Sequence, residues 1–199
     1  MQRIFADFSS LEGTNCYCSA ESAEQIRRTV AGLPLRAFHD IGTGDYHYQT
    51  LFWLERIAEP FSLVLFDHHP DDQDCAFGED LLSCGGWVAR ARKLPFLEKD
   101  VWIRDAADFP ALAALPALPV YLSLDLDVLS EQYARTDWDQ GAMTFHEMET
   151  ALRALVSSRR ILGVDLCGGN TVEKGASPED LALNASTGEA LYGIFRDLI

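Results

Sequence analysis

The sequence is short of basic residues and of long apolar runs. Sixteen lysines and arginines stand against 31 aspartates and glutamates, a formal net charge of −15 at pH 7. This balance argues against a nucleic-acid partner, because phosphate backbones are bound by clustered lysines and arginines. No apolar run approaches the roughly 20 residues that cross a membrane, and Asp7 interrupts the first residues too early for a signal peptide. We therefore expect no membrane association.

Cysteine is also scarce, and the glycine motifs of nucleotide-binding folds are missing. The five cysteines, at positions 16, 18, 75, 84 and 167, are odd in number and scattered. Without an export signal, we expect reduced thiols and a cytoplasmic location. The Cys16-Tyr-Cys18 pair suits either a metal or redox pair or simple packing in a loop, and no second pair completes a zinc site. Gly42-Thr-Gly44 is the only G-x-G, with no Gly-Lys-Ser, which disfavours a nucleotide-binding fold.

The 199 residues predict a single α/β domain spanning residues 1–199. Short apolar runs with strand composition alternate with segments of helical periodicity, a pattern that favours a parallel sheet covered on both faces. The predicted strands are residues 3–8, 35–40, 61–67, 100–104, 119–125 and 160–166. The predicted helices are residues 22–31, 47–57, 87–94, 144–157 and 187–198, with a short broken helix at 112–118. Segments 9–18 and 72–80 are predicted loops.

Helix boundaries are predicted from capping patterns. Ser22-Ala-Glu-Gln25 and Thr144-Phe-His-Glu147 have the spacing of capping boxes. Pro178 follows Ser177 and suits a first helical position.

Acidic and histidine side chains gather where two predicted strands end. Asp67, His69 and Asp71 follow one buried strand, while Asp125 and Asp127 end another. In an extended chain, residues i, i+2 and i+4 lie on one side. Parallel sheets bind ligands beyond the carboxyl ends of their strands, where Asp165 and His39 also fall. We interpret His39 as a packed strand-end histidine.

A metal site explains this set better than helix capping does. A single strand-end carboxylate is often a cap or turn former, but several charges cannot pack together without compensation, and neither motif contains lysine or arginine. Oxygen-rich ligands suit Mn²⁺ or Mg²⁺ better than structural zinc. Two ions about 3.5–4 Å apart would lower the pKa of a shared water.

Three motifs of the chain resemble those of the arginase/agmatinase (ureohydrolase) superfamily. The family's G-G-D-H-S, D-A-H-x-D and S-x-D-x-D read here as Gly44-Asp-Tyr-His47-Tyr, Asp67-His-His69-Pro-Asp71 and Ser123-Leu-Asp125-Leu-Asp127. The resemblance implies a three-layer α/β/α sandwich with a central, mainly parallel sheet.

The resemblance also implies the chemistry of the site. His47, Asp67, Asp71 and Asp125 would hold one Mn²⁺, and Asp67, His69, Asp125 and Asp127 the other. Asp67 and Asp125 would bridge the two ions, and a metal-bridging hydroxide oriented by Asp127 would attack a guanidino, amidine or amide carbon. Asp165 matches the family's late strand-end aspartate, a second candidate catalytic residue, and Asp45 could orient His47.

Three positions where substrate would bind depart from the arginase pattern, and Ser83 is a fourth candidate for substrate binding. Gly168 stands where arginases have a guanidinium-binding glutamate, and Gln73 where an asparagine reads amino-acid substrates. Trp87, in the stretch that begins at Ser83, stands where a histidine shuttles protons. Trp87 could wall an aromatic substrate pocket or lie in the core. These departures predict a substrate other than arginine.

Two alternatives stay open at this point. One is a mononuclear zinc deacetylase-like amidohydrolase, although His47, Asp71 and Asp127 would then have no function. The other is a metal-bound pseudoenzyme that acts as a binding module. The expected partners are a small-molecule substrate, which the acidic field would favour if it is cationic, and by analogy a second copy of the chain.

Overall fold

The computed structural model describes residues 1–74 and 81–198. Within these residues the strands are β1 Arg3–Phe5, β2 Tyr17–Cys18, β3 Phe38–Asp40, β4 Phe61–Phe66, β5 Leu82–Ser83, β6 Leu97–Ile103, β7 Val120–Asp125 and β8 Ile161–Cys167. The α-helices are α1 Ala20–Ala31, α2 Gln49–Leu54, α3 Trp87–Ala91, α4 Pro110–Ala113, α5 Phe145–Ser158 and α6 Pro178–Phe195.

A parallel sheet forms the centre of the fold. Six of the described strands pair in the order β1-β3-β8-β7-β4-β6, and all the pairs are parallel. Leu65 of β4 is in register with Ser123 of β7, which is in register with Asp165 of β8. The carboxyl ends of these three strands therefore adjoin in the middle of the sheet.

Helices cover both faces of this sheet. Along β4, Val64 and Phe66 pack into one apolar cluster with side chains of α5 and α6, whereas Leu63 and Leu65 pack into another with α1, α2 and α3. This alternation follows from the two-residue period of a strand buried on both sides. The protein is thus a three-layer α/β/α sandwich, as the sequence predicted.

Two helices begin earlier than predicted. The side chain of Ser19 caps α1 by accepting from the Ser22 backbone N–H, so the predicted cap Ser22 lies inside the helix. The closing helix α6 begins at Pro178 and runs without a break, because Ser177 and Asp180 form a capping box there. The first helical position predicted for Pro178 is confirmed, and the separate helix start predicted at residue 187 was wrong. The capping box of Thr144 and Glu147 is confirmed.

The first predicted loop contains a short strand. Strand β2 pairs antiparallel with β5 in a small second sheet, a long-range pairing that no local periodicity reveals. Cys16, Cys18, Cys84 and Cys167 carry free thiols, while Cys75 and most of the predicted loop 72–80 lie outside the described residues. In the part of the chain described, no helix is both long and apolar enough to cross a bilayer.

Candidate metal centre

The predicted ligands converge at the carboxyl ends of β4 and β7. Asp67 follows β4, Asp125 is the last residue of β7, and Asp127 lies in the 3-10 turn Leu126–Val128. His47 arrives from a different segment, directly after the 3-10 turn Gly44–Tyr46. Side-chain caps fix the turns, since Asp67 Oδ1 accepts from the His69 backbone N–H (2.6 Å) and Asp125 Oδ1 from the Asp127 N–H (2.9 Å).

The buried part of the site, here called the inner cluster, comprises His47, Asp71, Asp125 and Cys167. His47 Nδ1 lies 3.0 Å from Asp71 Oδ2 and 3.4 Å from Asp125 Oδ2. The Cys167 Sγ donates to Asp125 Oδ2 at 3.0 Å. All four residues are buried. Their atoms form two groups with metal-ligand spacing, one of them completed by Asp67.

The outer cluster comprises His69 and Asp127, and Asp67 lies between the two clusters. His69 Nδ1 is 2.8 Å from Asp127 Oδ2 and 3.7 Å from Asp67 Oδ1. The other oxygen of Asp67 faces inward, 3.2 Å from His47 Nδ1. Asp67 therefore presents one carboxylate oxygen to each cluster, which is the geometry that a bridging ligand requires.

A buried hydrogen-bond chain orients His47. Ser123 Oγ donates to Asp165 Oδ1 at 2.6 Å and lies 2.8 Å from His47 Nε2. Since the hydroxyl proton of Ser123 points to Asp165, its oxygen accepts from His47 Nε2–H. Nε2 then carries a proton, and Nδ1 is the ring nitrogen turned toward the carboxylates, so it is the atom that would bind a metal ion. Asp165 thus positions His47 from behind and does not line the cavity.

The electrostatics of the site favour bound cations. Burial, assisted by neighbouring carboxylates, raises the pKa of Asp67 well above its ordinary value. Burial and the charge of Asp127 raise the pKa of Asp125 to about 7. Asp67 Oδ2 accepts no hydrogen bond from the described residues although it is buried. Carboxylates that are costly to ionise together become stable anions when divalent cations lie between them, so the residues present fit metal ions.

A small cavity of about 50 Å³ opens between the two clusters. All six ligands predicted from the resemblance line it, as does the predicted substrate-binding residue Gln73; the six are His47, Asp67, His69, Asp71, Asp125 and Asp127. The other predicted site residues, Ser83, Trp87, Asp165 and Gly168, are not part of its lining.

Trp87 contacts a ligand rather than the cavity. Its side chain is fully buried, and its Nε1 donates to Asp71 Oδ2 at 2.7 Å. Its ring lies 5.0 Å from that of His47. Asp71 has a positive φ of 47°, which is uncommon for a non-glycine residue. The indole therefore helps to hold a strained aspartate, and of the two interpretations offered by the sequence the core position is the observed one.

Gly168 is a glycine because its surroundings exclude a side chain. Its φ is +96°, and a Cβ there would lie 1.9 Å from Asp125 Oδ1 and 2.8 Å from the Leu126 backbone nitrogen. The glutamate that the resemblance would place at this position cannot be accommodated with this backbone. The path of the backbone at Gly168 thus excludes the guanidinium-binding side chain.

Sequence reasoning missed several residues around the cavity. Gly44, Cys84, Gly85 and Trp138 line it. Trp138 lies edge-on to the His69 ring at 6.0 Å, and its Nε1 donates to Asp45 Oδ1 at 3.2 Å. Asp45 therefore contacts Trp138 and Lys174 rather than orienting His47, which corrects the prediction for this residue. No local pattern marks Trp138, because a distant loop brings it to the site.

His39 has the packed position that the sequence predicted. Its ring stacks on Trp53 at 3.7 Å, and its Nε2 bonds with the Pro34 carbonyl at 2.9 Å. Burial lowers the pKa of His39 to about 4, so it is neutral at pH 7. His39 is therefore not part of the metal centre.

One curated protein is similar to this chain in sequence. No family model matches the chain. An uncharacterized protein of Thermotoga maritima is 33% identical over 141 residues, which cover 64% of this chain and 56% of that protein. The chain thus spans little more than half the length of this curated relative.

Solved structures match over most of the chain. A hypothetical agmatinase from Burkholderia thailandensis has a TM-score of 0.66 at 21% identity, covering 91% of this chain and 67% of its own. Arginase from Bacillus caldovelox has a TM-score of 0.66 at 15% identity, covering 95% and 80%. Formimidoylglutamase from Bacillus subtilis has a TM-score of 0.65 at 14% identity, covering 87% and 66%. The three motifs predicted this outcome, and the chain has the fold of the arginase/agmatinase (ureohydrolase) superfamily.

Proposed function

We propose that the protein is a metal-dependent hydrolase that cleaves a non-peptide C–N bond in a small molecule, using two Mn²⁺ ions. The observation that carries the proposal is the pair of ligand clusters joined by Asp67. The carboxylate between them has one oxygen toward His47 Nδ1 and the other toward His69. The compared structures named arginase, agmatinase and formimidoylglutamase support the reaction class.

Each cluster would hold one ion. His47, Asp67, Asp71 and Asp125 would bind the inner one, and Asp67, His69, Asp125 and Asp127 the outer one. When bound, such a pair supplies a water molecule of low pKa that is nucleophilic near neutral pH.

The residues of the chain would then orient the reactants. Asp127 lines the cavity, its Oδ1 accepts from the His68 backbone N–H (2.9 Å), and its Oδ2 lies 2.8 Å from His69 Nδ1, the nitrogen that would bind the outer ion. Asp127 is in position to accept a proton from the attacking water and to fix its direction. Asp165 acts from further away, because it orients His47 through Ser123.

The substrate differs from arginine. The position of the guanidinium-binding glutamate is closed by the Gly168 backbone, and the predicted proton-shuttle position is a buried tryptophan that bonds Asp71. Gln73 is the predicted substrate-binding residue that does line the cavity. An amide side chain can both donate to and accept from a substrate, which suits an amidine or amide group. The acidic field would favour a cationic molecule.

The departures at two positions favour one competing function. Gly168 leaves no room for a guanidinium-binding glutamate, and the proton-shuttle position is a buried tryptophan, which is compatible with a metal-bound module that binds a partner without turnover. The mononuclear zinc alternative is less well supported, because it leaves one of the two ligand clusters without a function.

Metal content and turnover test the proposal together. The protein would be loaded with manganese, dialysed, analysed for metals, and screened against guanidino, amidine and amide compounds. We expect about two ions per chain, and release of ammonia or urea that Asp127→Asn abolishes without unfolding the protein. Two ions without turnover of any compound would favour the binding module. One zinc ion per chain with no second metal would favour the deacetylase-like site, and a folded protein without metal would overturn all three.

A further inference from the structure

Cys167 occupies a position from which it can contact the inner ion. It is the last residue of β8 and lies two residues after Asp165, so the two side chains point to the same side of the strand. It is also in register with Asp125 of the neighbouring strand β7. Its side chain is only 1% exposed. The thiol of Cys167 therefore lies at the same edge of the sheet as the carboxylates.

The contacts of Cys167 are those of a ligand. Its Sγ is 3.0 Å from Asp125 Oδ2, and atoms of His47, Asp125 and Cys167 lie within 4.8 Å of one another. The buried Asp67 Oδ2, which no described donor satisfies, lies beside the same histidine nitrogen. One imidazole, one thiol and several carboxylate oxygens therefore surround the inner position.

Sulfur changes which metal suits this position. Thiolate is a soft ligand that selects zinc and other thiophilic ions, whereas carboxylate and water suit manganese and magnesium. The outer cluster offers one imidazole and carboxylate oxygens, and no cysteine belongs to it among the described residues. The two positions therefore differ in chemical softness.

We infer that Cys167 is a ligand of the inner ion, and that this position selects zinc, iron(II) or cobalt(II) over manganese. The inference rests on the proposed two-metal site but replaces its inner Mn²⁺ with a thiophilic ion, so that the centre is mixed, with a sulfur ligand on one side only. Formation of the sulfur–metal bond displaces the thiol proton to solvent, one proton for each bond, and involves no oxidation.

Cobalt(II) is the probe that reports sulfur ligation directly. Metal-free protein would be titrated with cobalt(II) while the near-ultraviolet sulfur-to-cobalt charge-transfer band is recorded. Cys167→Ser should bind cobalt without this band. Its affinity for zinc should be at least about 10-fold lower, because even a change outside the ligand shell can lower metal affinity by that factor. Cys84→Ser is the matched control, because Cys84 lines the cavity but joins no ligand group.

A measurement on the unaltered protein covers the case in which Cys167→Ser does not fold. X-ray absorption of the zinc-loaded protein should show a sulfur scatterer at about 2.3 Å, in addition to nitrogen and oxygen at about 2.0–2.2 Å. Bound zinc with only nitrogen and oxygen neighbours would overturn the inference while leaving the two-metal proposal intact. A charge-transfer band that persists in Cys167→Ser would do the same. Failure to bind either metal would overturn both.

Discussion

The inner and outer clusters of the site differ in how firmly the fold holds them. Every inner side chain is buried, and each has a partner that fixes its direction: Ser123 for His47, Trp87 for Asp71 and Cys167 for Asp125. The outer His69 has a side chain that is 32% exposed, and it is held by Asp127 and the edge of Trp138. The inner side chains are therefore held within the core, whereas the outer histidine is partly exposed beside the cavity that all six predicted ligands line. The inner half should therefore set metal binding and stability together, and the outer half should set access.

The largest effect is expected from filling the space beside Asp125. Gly168→Ala places a Cβ 1.9 Å from Asp125 Oδ1, so backbone or ligand must move. We expect a loss of more than about 4 kcal/mol in the free energy of unfolding, together with loss of the inner ion. Urea denaturation of the metal-free protein and elemental analysis measure the two effects.

Gly175→Ala is the control for this change. Its φ of +92° is nearly the same, but no atom lies within 4 Å of the added Cβ. We expect only the cost of backbone strain, about 1–3 kcal/mol, and unchanged metal content. Equal losses in the two variants would show that the contact with Asp125 does not matter.

Removal of each histidine should separate the two clusters. His47→Ala leaves three buried carboxylates without their common partner, which should cost about 3–5 kcal/mol and release the inner ion. His69→Ala removes a partly exposed side chain, so the cost should stay below about 1 kcal/mol, and only the outer ion should be lost. Metal analysis and urea denaturation of both variants test this; similar losses from the two would break the distinction.

A moderate effect is expected when Asp71 loses its donor. Trp87→Phe keeps an aromatic ring but removes the N–H that bonds Asp71 Oδ2, so metal affinity should fall about 10–100-fold. Trp53→Phe is the matched control, because that indole is equally buried and its Nε1 has no partner among the described residues. Competition with a chelator measures both. Equal affinities in the two variants would assign Trp87 a packing role only.

The smallest effect on the centre is expected at the mouth of the cavity. Trp138 is 40% exposed and contacts His69, so Trp138→Ala should leave metal content unchanged and alter stability by less than about 1 kcal/mol. The rate at which a chelator removes the outer ion should rise, because the edge of the ring no longer covers it. Trp138→Phe should restore much of the original rate. Loss of metal from Trp138→Ala would mean that the outer cluster is also built into the fold.

The chain of donors behind the ligands could not be anticipated from the sequence. The sequence left Trp87 open between a substrate pocket and the core, and gave no sign that it bonds Asp71, which it does because α3 packs against α2 and the end of β4. Trp138 carries no local pattern, and the two-residue spacing of Cys167 from Asp165 does not by itself predict a ligand. Their roles depend on which loop crosses the sheet edge and which strands are neighbours, and those are long-range outcomes of packing.

The sequence by itself determined where the ligands lie along the chain. Two buried strands that end in acids spaced by two residues require those acids to share one side of an extended chain, and parallel pairing brings such strand ends to one edge. Only the tertiary structure decided that the strands carrying Asp67, Asp125 and Asp165 are neighbours in the sheet. It alone decided that His47 is oriented through Ser123, and that the path at Gly168 leaves no room for a side chain. These features depend on distances between segments far apart in sequence, and such distances are fixed when the core packs.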